Sequence, residues 1–234
     1  MPSESYTSAR IELQRVSTHI LARARFAADG RFGLRVTPSG IATPPFGPSG
    51  DVVRIAGSSL IREQRLEDRT VSGVIALSGH SLRQLAALVA VDLDEPFEAG
   101  RDTPQLGDPD TPIEMPDEAT EVLEWLALGV KALDSMMTGA KDPSVIQLWP
   151  EHFDVAFDAL TAHGRVNLGA SPGDSGETEP YLYVGPWGQD RPGNESYWNA
   201  PFGATLTRSQ VATLGGDPVH AAREFFAEGL RLLG

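Results

Sequence analysis

Residues 145–160 read VIQLWPEHFDVAFDAL and residues 166–187 read VNLGASPGDSGETEPYLYVGPW, and these two stretches decide the fold of the second half of the chain. Both are rich in β-branched and aromatic residues and contain Pro, Gly, Asp and Ser clusters, which predicts strands joined by turns. If residues 145–160 form one strand, period-two alternation gives that strand a core face and a polar face. The core face carries Trp149, Phe153, Val155 and Phe157, and the polar face carries His152, Asp154 and Asp158.

The rest of the chain follows the order helix, strands, helix, acidic loop, helix, strands, helix. A helical apolar stripe opens the chain and ends at Gly30. Two or three strands then precede a short helix capped by Ser81. After the acidic loop, strands extend to about Val211 between a helix over 117–138 and a last helix that begins at Asp217. Strands grouped between helices predict an α+β fold with mainly antiparallel sheets flanked by helices.

The same order divides the chain into two lobes and a connector. Residues 1–91 form a helix-strands-helix lobe, residues 92–116 an acidic connector with several prolines, and residues 117–234 a second helix-strands-helix lobe. Each lobe places a proline inside an early strand, Pro38 and Pro150, and this parallel suggests an internal duplication. No glycine-rich phosphate loop follows a predicted strand, which disfavours a Rossmann-type enzyme.

Charge is concentrated around the connector. The net charge of the chain is −13, and residues 92–124 hold twelve acidic residues and one basic residue. This acidity disfavours nucleic-acid binding, because the phosphate backbone favours basic patches. The absence of cysteine excludes disulfides and thiolate ligands. No apolar run approaches the ~20 residues of a membrane helix, and no secretory signal is visible. We therefore expect a cytoplasmic protein without nucleic-acid or membrane partners.

Polar residues of the second lobe suggest a site for a divalent metal. On one strand, His152 and Asp154 lie on the same face about 6.6 Å apart. The turn that carries Asp174 and Glu177 supplies two more carboxylates. Imidazole and carboxylate ligands together suit zinc, manganese or iron. The alternative is a solvated sheet face on which the imidazole pairs with a neighbouring acid, next to a turn in which Asp174 binds backbone amides.

The loop over residues 188–201 is long for a hairpin connection, and long loops in compact domains often bind ligands. Trp187, Tyr197, Trp198 and Asn199 combine aromatic rings with an amide group, which suits a sugar or another ring-bearing ligand. The alternative is that the same rings pack onto the sheet as a structural cap.

The segments LWPEHFD at 148–154, SPGD at 171–174 and EPYLYV at 179–184 resemble a block found in an uncharacterised family of bacterial proteins of unknown function. The resemblance covers residues 145–187. It implies a bacterial cytoplasmic protein, and it implies no activity.

Together these features favour binding of a small molecule or a metal ion by the second lobe. With a metal bound, the lobe would support hydrolysis, in which a metal-bound water is the nucleophile and one carboxylate its base. The alternative function is that of a non-catalytic structural or interaction protein whose aromatic and acidic residues hold the fold. A site requires His152 and the Asp174 turn to approach each other in a concave pocket, whereas a structural role leaves them apart.

Overall fold

The computed structural model describes residues 2–67 and 69–234. The helices are α1 (Glu4–Val16), α2 (Arg23–Asp29), α3 (Leu82–Val89), α4 (Ala119–Met137), α5 (Arg208–Leu214) and α6 (Pro218–Leu233), and a π-helical segment (Ser17–Ala22) joins α1 to α2. The strands are β1 (Arg35–Thr37), β2 (Gly40–Ala42), β3 (Val52–Ala56), β4 (Ser59–Leu66), β5 (Arg69–Ala76), β6 (Gln147–Trp149), β7 (Asp154–Thr161), β8 (Gly164–Ser171), β9 (Tyr181–Pro186) and β10 (Ala204–Thr207).

The strands form two antiparallel five-stranded sheets, with the orders β1-β2-β3-β4-β5 and β10-β9-β8-β7-β6. Each sheet is a meander in which strands consecutive in the chain are neighbours. The fold is therefore α+β with mainly antiparallel sheets, as the grouping of strands between helices predicts. Two sheet-containing lobes also fit an internal duplication.

The described residues of the first half of the chain form five strands, so the prediction of two or three strands was wrong. The cause is that β-rich runs expected to be single strands fold as hairpins. β1 pairs with β2 across a turn that brings Thr37 opposite Gly40. β3 pairs with β4 across Gly57, which adopts a φ of 55°, a conformation that glycine reaches without steric cost.

The chain divides into two compact units. The N-terminal unit comprises Pro2–Leu123 and Leu148–Phe153, and the C-terminal unit comprises Glu124–Gln147 and Asp154–Gly234. The lobe boundaries expected from the sequence, at residues 91 and 117, stay a prediction.

In the N-terminal unit, the helix expected at the start of the chain forms and ends at Gly30 with a φ of 66°. Ser3 caps α1, because its side chain accepts a hydrogen bond from the Tyr6 N–H at 3.0 Å. The middle of this helix is π-helical over Ser17–Ala22, and all six residues are buried. A period of 3.6 residues in the sequence gives no sign of this widened turn.

Residues 145–160 do not form one strand, and that prediction was wrong. They form β6, a turn over residues 150–153 and most of β7. Phe153 closes the turn with a φ of 56°, and its N–H donates to the Trp149 carbonyl at 2.7 Å. A bulky residue rarely adopts positive φ, so neither its identity nor the alternation around it indicates a turn.

Side chains from the opening helix hold this turn within the N-terminal unit. Gln14 Nε2 donates to the Glu151 carbonyl at 2.9 Å, and Thr18 Oγ1 donates to the Pro150 carbonyl at 3.0 Å. The residues involved are more than 130 positions apart in sequence. These side chains bind backbone carbonyls of the turn that would otherwise need hydrogen bonds from a neighbouring strand.

In the C-terminal unit, the sheet has an apolar face against helices and a polar face. On β7, the buried Val155 and Phe157 point to the side opposite Asp154, as alternation predicts. Helix α4 packs on the apolar face at Gly129. A Cβ atom on Gly129 would lie 2.4 Å from the Ala170 Cβ, so the helix backbone rests directly on β8.

Strands of the second sheet end at Thr207 rather than near Val211, which corrects the boundary expected from the sequence. Helix α5 begins at the next residue because Thr207 and Gln210 cap it reciprocally. The Gln210 N–H donates to Thr207 Oγ1 at 3.3 Å, and the Thr207 N–H donates to Gln210 Oε1 at 2.8 Å. Helix α6 begins as predicted, with Asp217 as its N-cap.

Residues 90–118, all described, belong to no helix or strand, as their acidic and proline-containing composition predicts. Within residues 2–67 and 69–234, no helix is both long enough and apolar enough to cross a membrane.

Candidate functional site

The predicted metal ligands His152 and Asp154 do not share a strand face. His152 lies on the turn of the N-terminal unit, with its side chain 55% exposed and its Nδ1 3.7 Å from Asp102 Oδ2. Asp154 is the first residue of β7 in the C-terminal unit and is buried. The strand alternation that would align them is missing because His152 precedes the strand.

The predicted ligands Asp174 and Glu177 lie together in the connection between β8 and β9. Asp174 Oδ1 accepts hydrogen bonds from the Gly176 N–H at 2.6 Å and the Glu177 N–H at 2.9 Å. The Asp174 N–H in turn donates to the Glu177 carbonyl at 2.7 Å. Asp174 therefore organises the turn through backbone amides, in the manner of an Asx turn.

Among the residues that the structure describes, no three His, Cys, Asp or Glu side chains are placed to share a metal ion. The metal site composed of His152, Asp154, Asp174 and Glu177 stays a prediction.

Two tyrosines of β9 bind two of these carboxylates on the polar face of the C-terminal sheet. Tyr181 Oη donates to Asp174 Oδ2 at 2.5 Å, and Tyr183 Oη donates to Asp154 Oδ2. The two ring centroids are 6.1 Å apart. Sequence reasoning missed this pairing, although a Tyr-x-Tyr step on one strand face beside two acids was a usable signal.

The phenols of Tyr181 and Tyr183 act as hydrogen-bond donors and not as ionised bases. Burial, followed by the hydrogen bond to Asp174, raises the pKa of Tyr181. Burial, followed by the negative charge of Asp154, raises the pKa of Tyr183. Both phenols therefore remain protonated at neutral pH, and each carboxylate has a neutral hydrogen-bond donor beside it.

Trp187, a predicted ligand residue, is 65% exposed, yet its ring is fixed. The indole Nε1 donates to Asn167 Oδ1 at 2.8 Å, and the Arg165 guanidinium carbon lies 5.9 Å from the ring centroid. Arg165 is held by ion pairs to Asp142 and Asp158. A fixed, exposed indole is a surface on which a ligand ring can stack.

The other predicted ligand residues turn inward from the loop. Tyr197 Oη donates to the Phe225 carbonyl at 2.7 Å. Trp198 Nε1 donates to a carbonyl of the loop itself at 2.9 Å, and its ring lies edge-on to that of Tyr197 with centroids 4.9 Å apart. Asn199 exchanges hydrogen bonds of 2.8 and 3.0 Å with the backbone of Thr205. These bonds give Trp198 and Asn199 a structural part in shaping the loop.

Tyr197 also forms one wall of a surface hollow of 440 Å³, which we name the Tyr197 hollow. Its apolar lining comes from three elements: β10 contributes Leu206, α5 contributes Leu214, and α6 contributes Ala221 and Phe225. The volume falls within the range of about 300–1,000 Å³ typical of small-molecule sites. The hollow is thus an apolar cleft of ligand size in the C-terminal unit.

The rim of the Tyr197 hollow is acidic. His220, Glu224 and Glu228 are four residues apart and lie along one stripe of α6. Arg231 binds Glu228 through two bonds of 2.7 and 2.8 Å, and these bonds lower the pKa of Glu228. Glu224 forms no ion pair with any residue in the described part of the chain. The rim therefore offers the carboxylate of Glu224 to a ligand.

Tyr197 contributes a neutral aromatic wall to this acidic rim. Burial, followed by the negative charge of Glu228, raises the pKa of the Tyr197 phenol. Sequence reasoning singled out Tyr197 but missed the two glutamates. Their spacing of four residues places both on one stripe of the last predicted helix, but the sequence gives no sign that this stripe borders a hollow.

The Tyr197 hollow and the phenol–carboxylate pairs of Tyr181 and Tyr183 all lie within the C-terminal unit. No protein-family model, curated protein or solved structure matches the chain.

Proposed function

We propose that the C-terminal unit binds a small amphiphilic cation in the Tyr197 hollow. The observation that carries this proposal is the combination of apolar walls with the unpaired carboxylate of Glu224 at the rim. A ligand with an apolar or aromatic body and one ammonium group complements both features. This is the small-ligand binding by the second lobe that the sequence favours, with the class of ligand now specified.

The walls suit a ring. Tyr197 is held in place by its bond to the Phe225 carbonyl, and their ring centroids are 5.4 Å apart. Rigid aromatic walls bury a ligand ring at little conformational cost to the protein. Leu206 and Leu214 add aliphatic surface on the opposite elements.

The negative charge at the rim favours a positively charged ligand. Arg231 already neutralises Glu228, so a second cation gains little from that carboxylate. Glu224 has no such partner in the described residues, and a ligand ammonium beside it gains an ion pair. A carboxylate ligand would instead meet the like charge of Glu224, which disfavours acids.

Three probes of matched shape test the proposal by isothermal titration calorimetry: 2-phenylethylamine, 2-phenylethanol and phenylacetate. We expect saturable binding of the amine, weaker binding of the neutral alcohol and no measurable binding of the acid. Glu224→Gln should weaken binding of the amine by about three- to fivefold, the size of one exposed ion pair, and leave the alcohol unchanged. Asp134→Asn, which removes an exposed carboxylate of α4 outside the hollow, is the matched control.

The apolar part of the hollow is tested separately with Leu214→Ala. Leu214 is exposed, so its truncation spares the fold. We expect it to weaken the amine and the alcohol by the same factor, because it removes apolar contact without changing charge. Equal binding of all three probes, or an unchanged amine affinity in Glu224→Gln, would contradict the proposed ligand class. Absence of binding by every probe would contradict the hollow as a ligand site.

A further inference from the structure

A second concave surface lies wholly within the N-terminal unit. It is an open groove of 1120 Å³ between one stripe of α1 and residues 111–116, and we name it the α1 groove. Its volume exceeds the range of about 300–1,000 Å³ that small molecules occupy, and its length follows the helix. The dimensions suit an extended chain better than a compact ligand.

One wall of the α1 groove is the segment of residues 111–116, which bonds to residues 78–81 along one side. The Ile113 N–H donates to the His80 carbonyl at 2.9 Å, and the Gly79 N–H donates to the Ile113 carbonyl at 2.9 Å. Because successive residues of an extended segment turn their amides to opposite sides, the N–H and C=O of Glu114 face away from residues 79–80. In the described parts of the chain, these two groups of Glu114 have no backbone partner. The edge offers the N–H and the C=O of Glu114 to an added strand, whereas Pro112 and Pro116 have no N–H to donate.

The charges along the α1 groove are mostly negative. Glu4 and Glu114 line it without an ion pair among the described residues. Glu12 and Arg15 also line it and pair with each other, with Arg15 Nη1 3.0 Å from Glu12 Oε1. The unneutralised charge of the groove is therefore that of two carboxylates, which complements basic side chains.

The opposing wall supplies an apolar anchor. Ile11 lies between Ser8 and Glu12 on the α1 stripe and is 47% exposed. Met115 contributes further apolar surface from the other wall. An extended segment with alternating apolar and basic residues would place one set of side chains on Ile11 and Met115.

We infer that the α1 groove binds an extended, lysine- or arginine-containing peptide segment of another protein. The segment adds as a strand to the Glu114 edge, sets its basic side chains against Glu4 and Glu114, and packs an apolar side chain on Ile11. This interaction site is independent of the Tyr197 hollow and is a property of the N-terminal unit alone.

The probe is the fluorescein-labelled pentapeptide Val-Lys-Ile-Lys-Val, titrated with the full-length protein by fluorescence polarisation. We expect saturable binding that a Val-Glu-Ile-Glu-Val peptide does not reproduce. Glu114→Lys should weaken binding about tenfold, because an attraction becomes a repulsion. Glu98→Lys, an exposed residue of the same acidic segment outside the groove, should leave binding unchanged.

Backbone pairing has its own test. Two versions of the peptide carry N-methyl groups, one on the second and fourth residues and the other on the first, third and fifth. Since only alternate amides face the Glu114 edge, we expect one version to lose binding and the other to retain it. Equal behaviour of the two versions would overturn strand addition, equal affinity for the acidic and basic peptides would overturn the charge match, and failure of the basic peptide to bind would overturn the site.

Discussion

The two sheets share a meander topology but differ in how they are covered. In the N-terminal sheet, the edge strand β5 leaves Val71 and Val74 exposed, the latter at 63%. In the C-terminal sheet, glycines allow helices to rest on the strands. Gly129 of α4 lies against Ala170, and a Cβ on Gly229 of α6 would be 3.0 Å from the Val184 side chain. Strand order alone therefore does not determine how well a sheet is covered, and in the C-terminal unit small residues let helices approach the strands.

The polar groups of the two sheets differ as well. In the N-terminal sheet, Arg62 and Gln64 both donate to Asp51 Oδ2 at 2.9 Å. In the C-terminal sheet, the donors to carboxylates are the phenols of Tyr181 and Tyr183. A guanidinium keeps its proton across the whole accessible pH range, whereas a phenol loses it in alkali. The two sheets should therefore respond differently to high pH.

The largest expected effect contrasts buried and exposed apolar residues of the two units. Phe226→Ala should lower the free energy of unfolding by about 3–5 kcal/mol, because Phe226 is fully buried. Val74→Ala on the open strand β5 should change it by less than about 0.5 kcal/mol. Urea denaturation followed by far-UV circular dichroism measures both. A large loss in Val74→Ala would mean that β5 is covered, and the contrast between the sheets would fail.

The second prediction tests whether a small residue at position 129 lets helix α4 pack closely on the C-terminal sheet. Gly129→Val should lower the free energy of unfolding by about 1–3 kcal/mol, because the new side chain collides with Ala170 and Val155. Gly139→Val is the matched control, since a Cβ at Gly139 meets nothing within 4 Å. If both variants unfold at the same urea concentration, close helix approach at Gly129 does not stabilise the C-terminal sheet.

The smallest expected effect concerns pH. Tyr181→Phe should cost about 1 kcal/mol near neutrality, the value of one hydrogen bond. Burial raises the pKa of Tyr181 in the folded protein, whereas the unfolded chain titrates near about 10. The unfolded chain thus loses its proton first, so the contribution of Tyr181 is complete below about pH 10 and declines as the pH rises beyond it.

The measurement for this last prediction is urea denaturation of wild type and Tyr181→Phe at about pH 8 and about pH 11. The difference in unfolding free energy between the two proteins should shrink at the higher pH. A difference that stays constant would show that the phenol of Tyr181 makes the same contribution whether or not the unfolded chain ionises.

Helix boundaries were the part of the fold that local sequence predicted well. Ser81 caps α3 and Asp217 caps α6, because each side chain accepts a hydrogen bond from a backbone N–H in the first turn of its helix. Gly30 ends α2 because it adopts the left-handed conformation. The α+β class followed from the order of elements, which is also a local property summed along the chain.

Boundaries that depend on distant residues were predicted wrongly. Alternation continues through residues 150–153, yet Gln14 and Thr18 bind the carbonyls there and a turn forms. The start of α5 was also placed in a strand, although its signal is local: Thr207 and Gln210, three residues apart, cap the helix reciprocally.

The candidate site divides in the same way. The sequence identified Tyr197 because an aromatic residue in a long polar loop is costly to expose. It did not identify Glu224, since an exposed glutamate on a helix is ordinary until α5 and β10 are known to lie beside it.

The sequence by itself determined the α+β class, the helix caps, the polar turn at Asp174 and the concentration of aromatic residues in the second lobe. These features depend on residues close together in the chain, where backbone preference and side-chain hydrogen bonds act directly. The tertiary structure alone decided that His152 and Asp154 belong to different units, that the phenols of Tyr183 and Tyr181 bind Asp154 and Asp174, and that Tyr197 and Glu224 line one hollow. Such contacts join residues distant in sequence, and their free energy depends on burial and approach distances that no local pattern records.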